Sequence, residues 1–95
     1  MKLIGKVKLE QFKQLHPDAS KSIDAWTREV EQTTWANPHQ VRERYSSADF
    51  PGSNQVIFNI KGNNYRLLAE VYYEREIVIV SKVGTHAEYS KWRIK

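Results

Sequence analysis

Cysteine is absent from this 95-residue chain, which removes any disulfide framework and any thiolate metal site and fits a reducing compartment. Long apolar runs are missing as well. No stretch approaches the roughly 20 residues of a membrane span. The opening segment MKLIGKVKLEQF has neither an uninterrupted apolar core nor a small-residue cleavage site. The expectation is a soluble, cytoplasmic protein with no membrane partner. The three histidines, His16, His39 and His86, fall on separate elements and match neither H-x₃-H nor H-E-x-x-H, so no metal is expected. No glycine-rich phosphate loop and no G-x-S-x-G elbow occurs. No cofactor is implied.

What is present is basic and aromatic. Ninety-five residues suffice for one core and not for two, so residues 1–95 are read as a single domain. The burial available to so small a domain is limited, and the three Trp, five Tyr and three Phe are expected to supply much of it. Trp26 and Trp35 read as core. The formal net charge is +4, compatible with a polyanionic partner, although the placement of charge says more than its sum.

Periodicity divides the chain into helices and then strands. Lys2 to Ile4 is a possible opening strand. Leu9, Phe12 and Leu15 stand at helical spacing, and Pro17 ends that helix because the residue before proline avoids the α region. Ile23, Trp26, Val30 and Thr33 mark one face of a second helix over about 18–35. Asn37–Pro38 signals a short third helix, an N-cap with proline in the first turn. Beyond the turn-rich SSADFPGSNQ, the runs VIFNIK, YRLLAEVYY and IVIVSKV are rich in β-branched and aromatic residues and read as a three-stranded antiparallel meander. Thr85 and Glu88 form a capping-box pattern that starts a last helix near His86. The fold class is therefore α+β: N-terminal helices on an antiparallel sheet, with a C-terminal helix.

Register decides which side chains share a face. A two-residue turn at Asn63–Asn64 sets Lys61 opposite Arg66. It also puts Val56, Phe58 and Ile60 with Leu67, Ala69 and Val71 on one apolar face. A three-residue turn over Glu74–Glu76 adds Ile77, Ile79, Ser81 and Val83 to that face. The opposite face then carries Asn59, Lys61, Arg66, Glu70, Tyr72 and Lys82, with Ile57, Leu68, Val78 and Val80 between them. A one-residue slip would scatter this group and bury Lys82. Gly62 and Gly84 read as turn residues. On the last helix, His86 and Tyr89 share a side.

Lys61, Arg66, Lys82, His86 and Tyr89 are the kinds of group that grip and cleave a phosphodiester without a metal. Two like charges directly opposite on neighbouring strands repel, and a phosphate between Lys61 and Arg66 would reverse that cost. Solvated surface charge at Lys61 and Lys82, and core packing at Tyr89, are the plainer readings of the same residues.

FNIKGNNYRL followed by a strand and then GTHAEYSKW resembles the HigB-type toxins of type II toxin–antitoxin modules, within the RelE-like superfamily. HPDA, the Ala25–Trp26 pair, TTWANP and RYSSADF extend the resemblance over essentially the whole chain. It implies the RelE-like microbial ribonuclease fold and an mRNA interferase acting on mRNA at the ribosome. It further implies a cognate helix-turn-helix antitoxin of the HigA type, with operator DNA reached only through that antitoxin. The residues carried over are Lys61, Arg66, His86 and Tyr89 as catalytic, with Asn59, Lys82 and Lys91 binding RNA. The implied chemistry is metal-independent attack of a 2′-hydroxyl on the adjacent phosphate, with His86 moving protons and Arg66 and Lys61 bearing on transition-state charge. Lys82 then binds phosphate, and Tyr89 stacks on a base or bonds the 2′-hydroxyl. A non-catalytic RNA- or ribosome-binding module, or a degenerate toxin acting only in an antitoxin repressor complex, would share this face.

Overall fold

The computed structural model describes residues 1–92. The elements run β1 (Lys2–Ile4), α1 (Lys6–Leu15), a 3₁₀ turn (Pro17–Ala19), α2 (Ser20–Gln32), α3 (Pro38–Arg44), β2 (Gln55–Ile60), β3 (Tyr65–Tyr72), β4 (Ile77–Thr85) and α4 (His86–Tyr89). The sheet order is β1-β4-β3-β2. The meander is antiparallel, and β1 joins its far edge parallel to β4, which makes the sheet mixed. The α+β class and the element order agree with the sequence reading.

The helices follow their apolar spacing with two differences. Leu9 and Phe12 of α1 are buried, while Leu15 is 77% exposed. Each three-residue step falls short of a full turn, and two steps carry Leu15 about 120° around the helix from Leu9. The second helix is shorter than expected: a 3₁₀ turn precedes it, and Thr33 is already extended. Ile23, Trp26 and Val30 form its buried face, and Trp35 returns to the core from the following segment. Asn37 caps α3 as expected, its side chain accepting from the Gln40 amide at 3.0 Å. Phe58 is enclosed by Trp26, Tyr45 and Trp35, with ring centroids 5.2–6.2 Å away.

The turns of the meander differ from the expected ones, with different consequences. In the first hairpin Asn59 pairs with Arg66 and Ile60 with Tyr65, so residues 61–64 all lie in the turn. Lys61 and Gly62 there have φ of 53° and 65°. The register is displaced by two residues, so Lys61 is not opposite Arg66, but the faces keep their parity. In the second hairpin Tyr72 pairs with Ile77, and the connection is four residues rather than three. That single residue inverts the start of β4. Val78 and Val80 are in the core, and Ile77, Ile79 and Ser81 are not.

A bulge repairs the alternation. Ala69 pairs with Val80 but Leu68 pairs with Lys82, leaving Ser81 as the extra residue. Lys82 therefore returns to the open face and Val83 packs against the core. The expected position of Lys82 is correct, but it depends on an irregularity and not on a regular strand.

Candidate functional site

The end of the open face is built by β3, β4 and α4 together. Arg66 pairs with Gly84, two residues before the start of α4. Gly84 lies within β4, not in a turn. The capping box forms as the T-x-x-E pattern requires: the Glu88 amide donates to Thr85 Oγ1 at 3.1 Å, and the Thr85 amide donates to Glu88 Oε1 at 2.8 Å. The His86 amide donates to the Asn64 carbonyl at 3.2 Å, which ties the helix start to the first hairpin turn. With only four residues, α4 offers little helix dipole to act on the His86 ring.

Arg66 is the best-fixed cation of the set. Its Nη1 donates to the carbonyls of Asn63 at 2.9 Å and Tyr65 at 3.2 Å, and its Cζ lies 5.3 Å from the centre of the Tyr89 ring. Two of the five guanidinium N–H groups are thereby occupied, and among the described residues the Nε–Nη2 edge has no partner. Tyr89 also contacts the His86 ring edge-to-face, with centroids 6.1 Å apart. Trp92 follows at 5.6 Å from Tyr89, and Lys82 Nζ lies 5.8 Å from the centre of the Trp92 ring. Arg66, His86, Tyr89, Trp92 and Lys82 thus form one continuous group. Among the described residues, neither Arg66 nor Lys82 has an ion-pair partner.

Trp92 was not singled out from the sequence. Its position three residues after Tyr89 was the available signal, since residues three apart share a helix side. The reason for its seat is Gly84, where a Cβ would lie 3.0 Å from Trp92 Cζ2.

Other expected members are elsewhere. Lys61 leaves the sheet with its left-handed φ, and its ammonium bonds Asp18 Oδ2 at 3.0 Å. The Tyr65 hydroxyl donates to the same carboxylate at 2.7–2.8 Å. These bonds, that of Tyr65 foremost, hold the Asp18 carboxyl below its ordinary range and in turn push the Tyr65 hydroxyl up. Asn59 donates to the Ser47 carbonyl at 3.4 Å, bracing the connection beside β2. Lys91 is exposed. Glu70 closes the other end of the open face, accepting from the hydroxyls of Tyr72 at 2.5 Å and Ser81 at 3.5 Å.

Two grooves flank Trp92. One, of about 520 Å³, lies between α4 and the 49–51 segment, over Ile57. The other, of about 350 Å³, faces α1 and includes Lys8, His16 and Lys82. Among the described residues, no three His, Cys, Asp or Glu side chains gather as a metal site would need. No described helix is long and apolar enough to cross a membrane.

Comparison with known proteins adds two findings. The family model HigB_toxin, described as the RelE-like toxic component of a toxin-antitoxin system, matches residues 19–92. That span holds β2, β3, β4, α4 and every candidate residue named above. The chain is also similar to the mRNA interferase HigB of Escherichia coli O6:H1 (strain CFT073), with 25% identity over 93 residues that cover 96% of this chain and 90% of the relative.

Proposed function

The chain belongs to the HigB toxin family, RelE-like toxic components of toxin–antitoxin systems, and from this premise we propose that it blocks translation by cleaving mRNA on the ribosome. Its similarity to a protein named as an mRNA interferase supports this reading. The observation that carries it is Arg66. Two backbone carbonyls hold one side of the guanidinium, which lies over the Tyr89 ring that in turn touches His86, and among the described residues no carboxylate neutralises it. A cation held so rigidly suits a negative group that forms only briefly, because no reorganisation is needed when the charge appears.

The reaction is transesterification without a metal. His86 accepts the proton of a 2′-hydroxyl, and that oxygen attacks the adjacent phosphorus. The bond from phosphorus to the 5′-oxygen breaks, and the departing oxygen takes a proton from solvent. The products are a 2′,3′-cyclic phosphate and a 5′-hydroxyl. Arg66 bears the extra charge of the pentacoordinate phosphorus through Nε and Nη2. Lys82 binds a neighbouring phosphate, Tyr89 stacks on a base, and Asn59 and Lys91 shape and charge the rim of the groove. Lys61 is left out of the chemical step because its ammonium is turned to Asp18.

A toxin of this family has a cognate antitoxin, and we take it to be a helix-turn-helix protein of the HigA type through which operator DNA is reached. The test is a cell-free translation system charged with a reporter mRNA. Fragments are expected only while the message is translated, and their loss when antitoxin is added first. Cleavage of the same mRNA without ribosomes would remove the ribosome from the mechanism. Intact mRNA with translation still blocked would replace cleavage with docking.

A further inference from the structure

The groove between α4 and the 49–51 segment joins the site directly, since Tyr89 borders both. Its floor is Ile57, 3% exposed although it lies on the face away from the helices. Pro51, Tyr89 and Trp92 line it. Apolar and aromatic surfaces of this kind suit the flat face of a nucleobase and not a phosphate. The volume, about 520 Å³, falls in the range of roughly 300–1,000 Å³ usual for small-molecule sites.

Two residues of the lining are polar: Ser90, whose hydroxyl donates to the Ala87 carbonyl at 2.7 Å, and Asp49. Asp49 is the carboxylate of the groove, and its main chain is fixed by two hydrogen bonds with Ile57, 3.0 Å from its amide and 2.8 Å to its carbonyl. Asp49 is exposed, and among the described residues its side chain has neither a hydrogen bond nor an ion pair, so its oxygens are open to a ligand. A free carboxylate next to an RNA-cleaving centre repels the backbone it must approach. Against the edge of a base it pairs only with N–H groups, because an ionised carboxylate accepts and never donates.

We infer that this groove reads the base beside the cut phosphate, and that Asp49 selects guanine. Guanine offers two adjacent donors on its Watson–Crick edge, N1–H and the N2 amino group, which match the two oxygens of one carboxylate. Adenine and cytosine set a single amino donor beside a ring acceptor. Uracil sets a single N–H between two carbonyl oxygens. Each of these turns an acceptor toward Asp49. The aromatic rings of Tyr89 and Trp92 hold the plane of the base and Asp49 reads its edge, so recognition reaches the cleavage site through α4. This inference rests on the RNA-cleaving reading and adds the identity of a base to it.

The test uses uncleavable 2′-deoxy dinucleotides, guanine- or adenine-containing, titrated into the full chain and followed by the NMR signal of the Trp92 indole N–H. Guanine is expected to bind about tenfold tighter or more, the scale of one good bidentate base contact. In Asp49→Asn, whose amide both donates and accepts, the ratio should fall toward one. The readout is a ratio, so a general loss of affinity does not imitate it. In parallel, cut sites made in translated mRNA by the wild type should carry guanine at one fixed position, and that bias should weaken in Asp49→Asn. Selective binding without any cutting would uphold the inference and overturn the cleavage reading. Cutting with equal binding of the two bases, or a ratio unchanged by Asp49→Asn, would overturn the inference and leave the cleavage reading standing.

Discussion

At the scale of the residue, Arg66 and Lys61 show how one local difference separates two similar side chains. Both were expected on one face, opposite each other. Arg66 remains in β3, where Asn63 and Tyr65 offer it carbonyls, while Lys61 enters the turn with φ of 53° and reaches Asp18. Arg66→Ala is expected to lower cleavage by about 10²–10³-fold, the scale of one lost transition-state donor, with little change in melting temperature. Arg66→Lys should not rescue it, since an ammonium cannot hold two carbonyls and still present a fork. Rates near wild type for the lysine variant would reduce Arg66 to a simple positive charge.

Asp18 carries a pH signature. Its carboxyl lies below its ordinary value of 3.8 because of Tyr65 and then Lys61. A depressed folded value means that the stabilisation is complete above the unfolded value and is lost as pH falls through the lower, folded one. Asp18→Asn should therefore melt lower than wild type at neutral pH, and the gap should close on acidification below about pH 4. Thermal melts between pH 2 and 7 check this. A gap constant across that range would mean that the carboxylate bonds contribute nothing.

At the scale of the element, periodicity and capping were legible, while turn length was not. The Thr85–Glu88 capping box and the Asn37 cap depend on neighbours three residues away, and both form as read. Connections are different, because the residues between strands do not state how many of them pair. Two residues of error in the first turn preserved the faces, and one residue in the second inverted them. Only the bulge at Ser81 returned Lys82 to its expected side. The consequence is testable in β4. Val78→Asp should unfold the domain by burying a lone charge, and Ile79→Asp, next to it on the half-exposed side, should leave a cooperative melt. The reverse order would restore the three-residue turn.

Gly84 links that strand to the site. Its Cβ would meet Trp92 at 3.0 Å and Glu88 at 3.2 Å, while no positive φ prevents alanine there. Gly84→Ala is expected to displace Trp92 and shift its fluorescence to the red, with lower cleavage and a nearly unchanged melting temperature. An unshifted spectrum with full activity would take Trp92 out of the site.

At the scale of the whole molecule, α1, α2 and α3 cover one sheet face, α4 lies at the end of the other, and the 46–54 connection meets the β2 edge, where Asp49 pairs with Ile57. This asymmetry was readable from the order of helices and strands. The parallel pairing of β1 with β4 was not, because it joins residues 2–4 to residues 77–79 with no local signal between them. Of the candidate group, Arg66, Lys82, His86 and Tyr89 were legible as residues. Trp92 and Asp49 were not, since each depends on which loop and helix the fold brings together.

The central claim is that this face cleaves mRNA through the 2′-hydroxyl of the substrate itself. The chemistry of the new 5′ ends tests it most directly. Total RNA taken shortly after expression of the toxin would be ligated to an adaptor that requires a 5′-phosphate, with and without prior phosphorylation by a kinase, and the ends sequenced. The expected result is a set of new mRNA ends that ligate only after kinase treatment, since transesterification leaves a 5′-hydroxyl, and that disappear in Arg66→Ala and His86→Ala. New ends that ligate without the kinase, and so carry a 5′-phosphate, would contradict the mechanism.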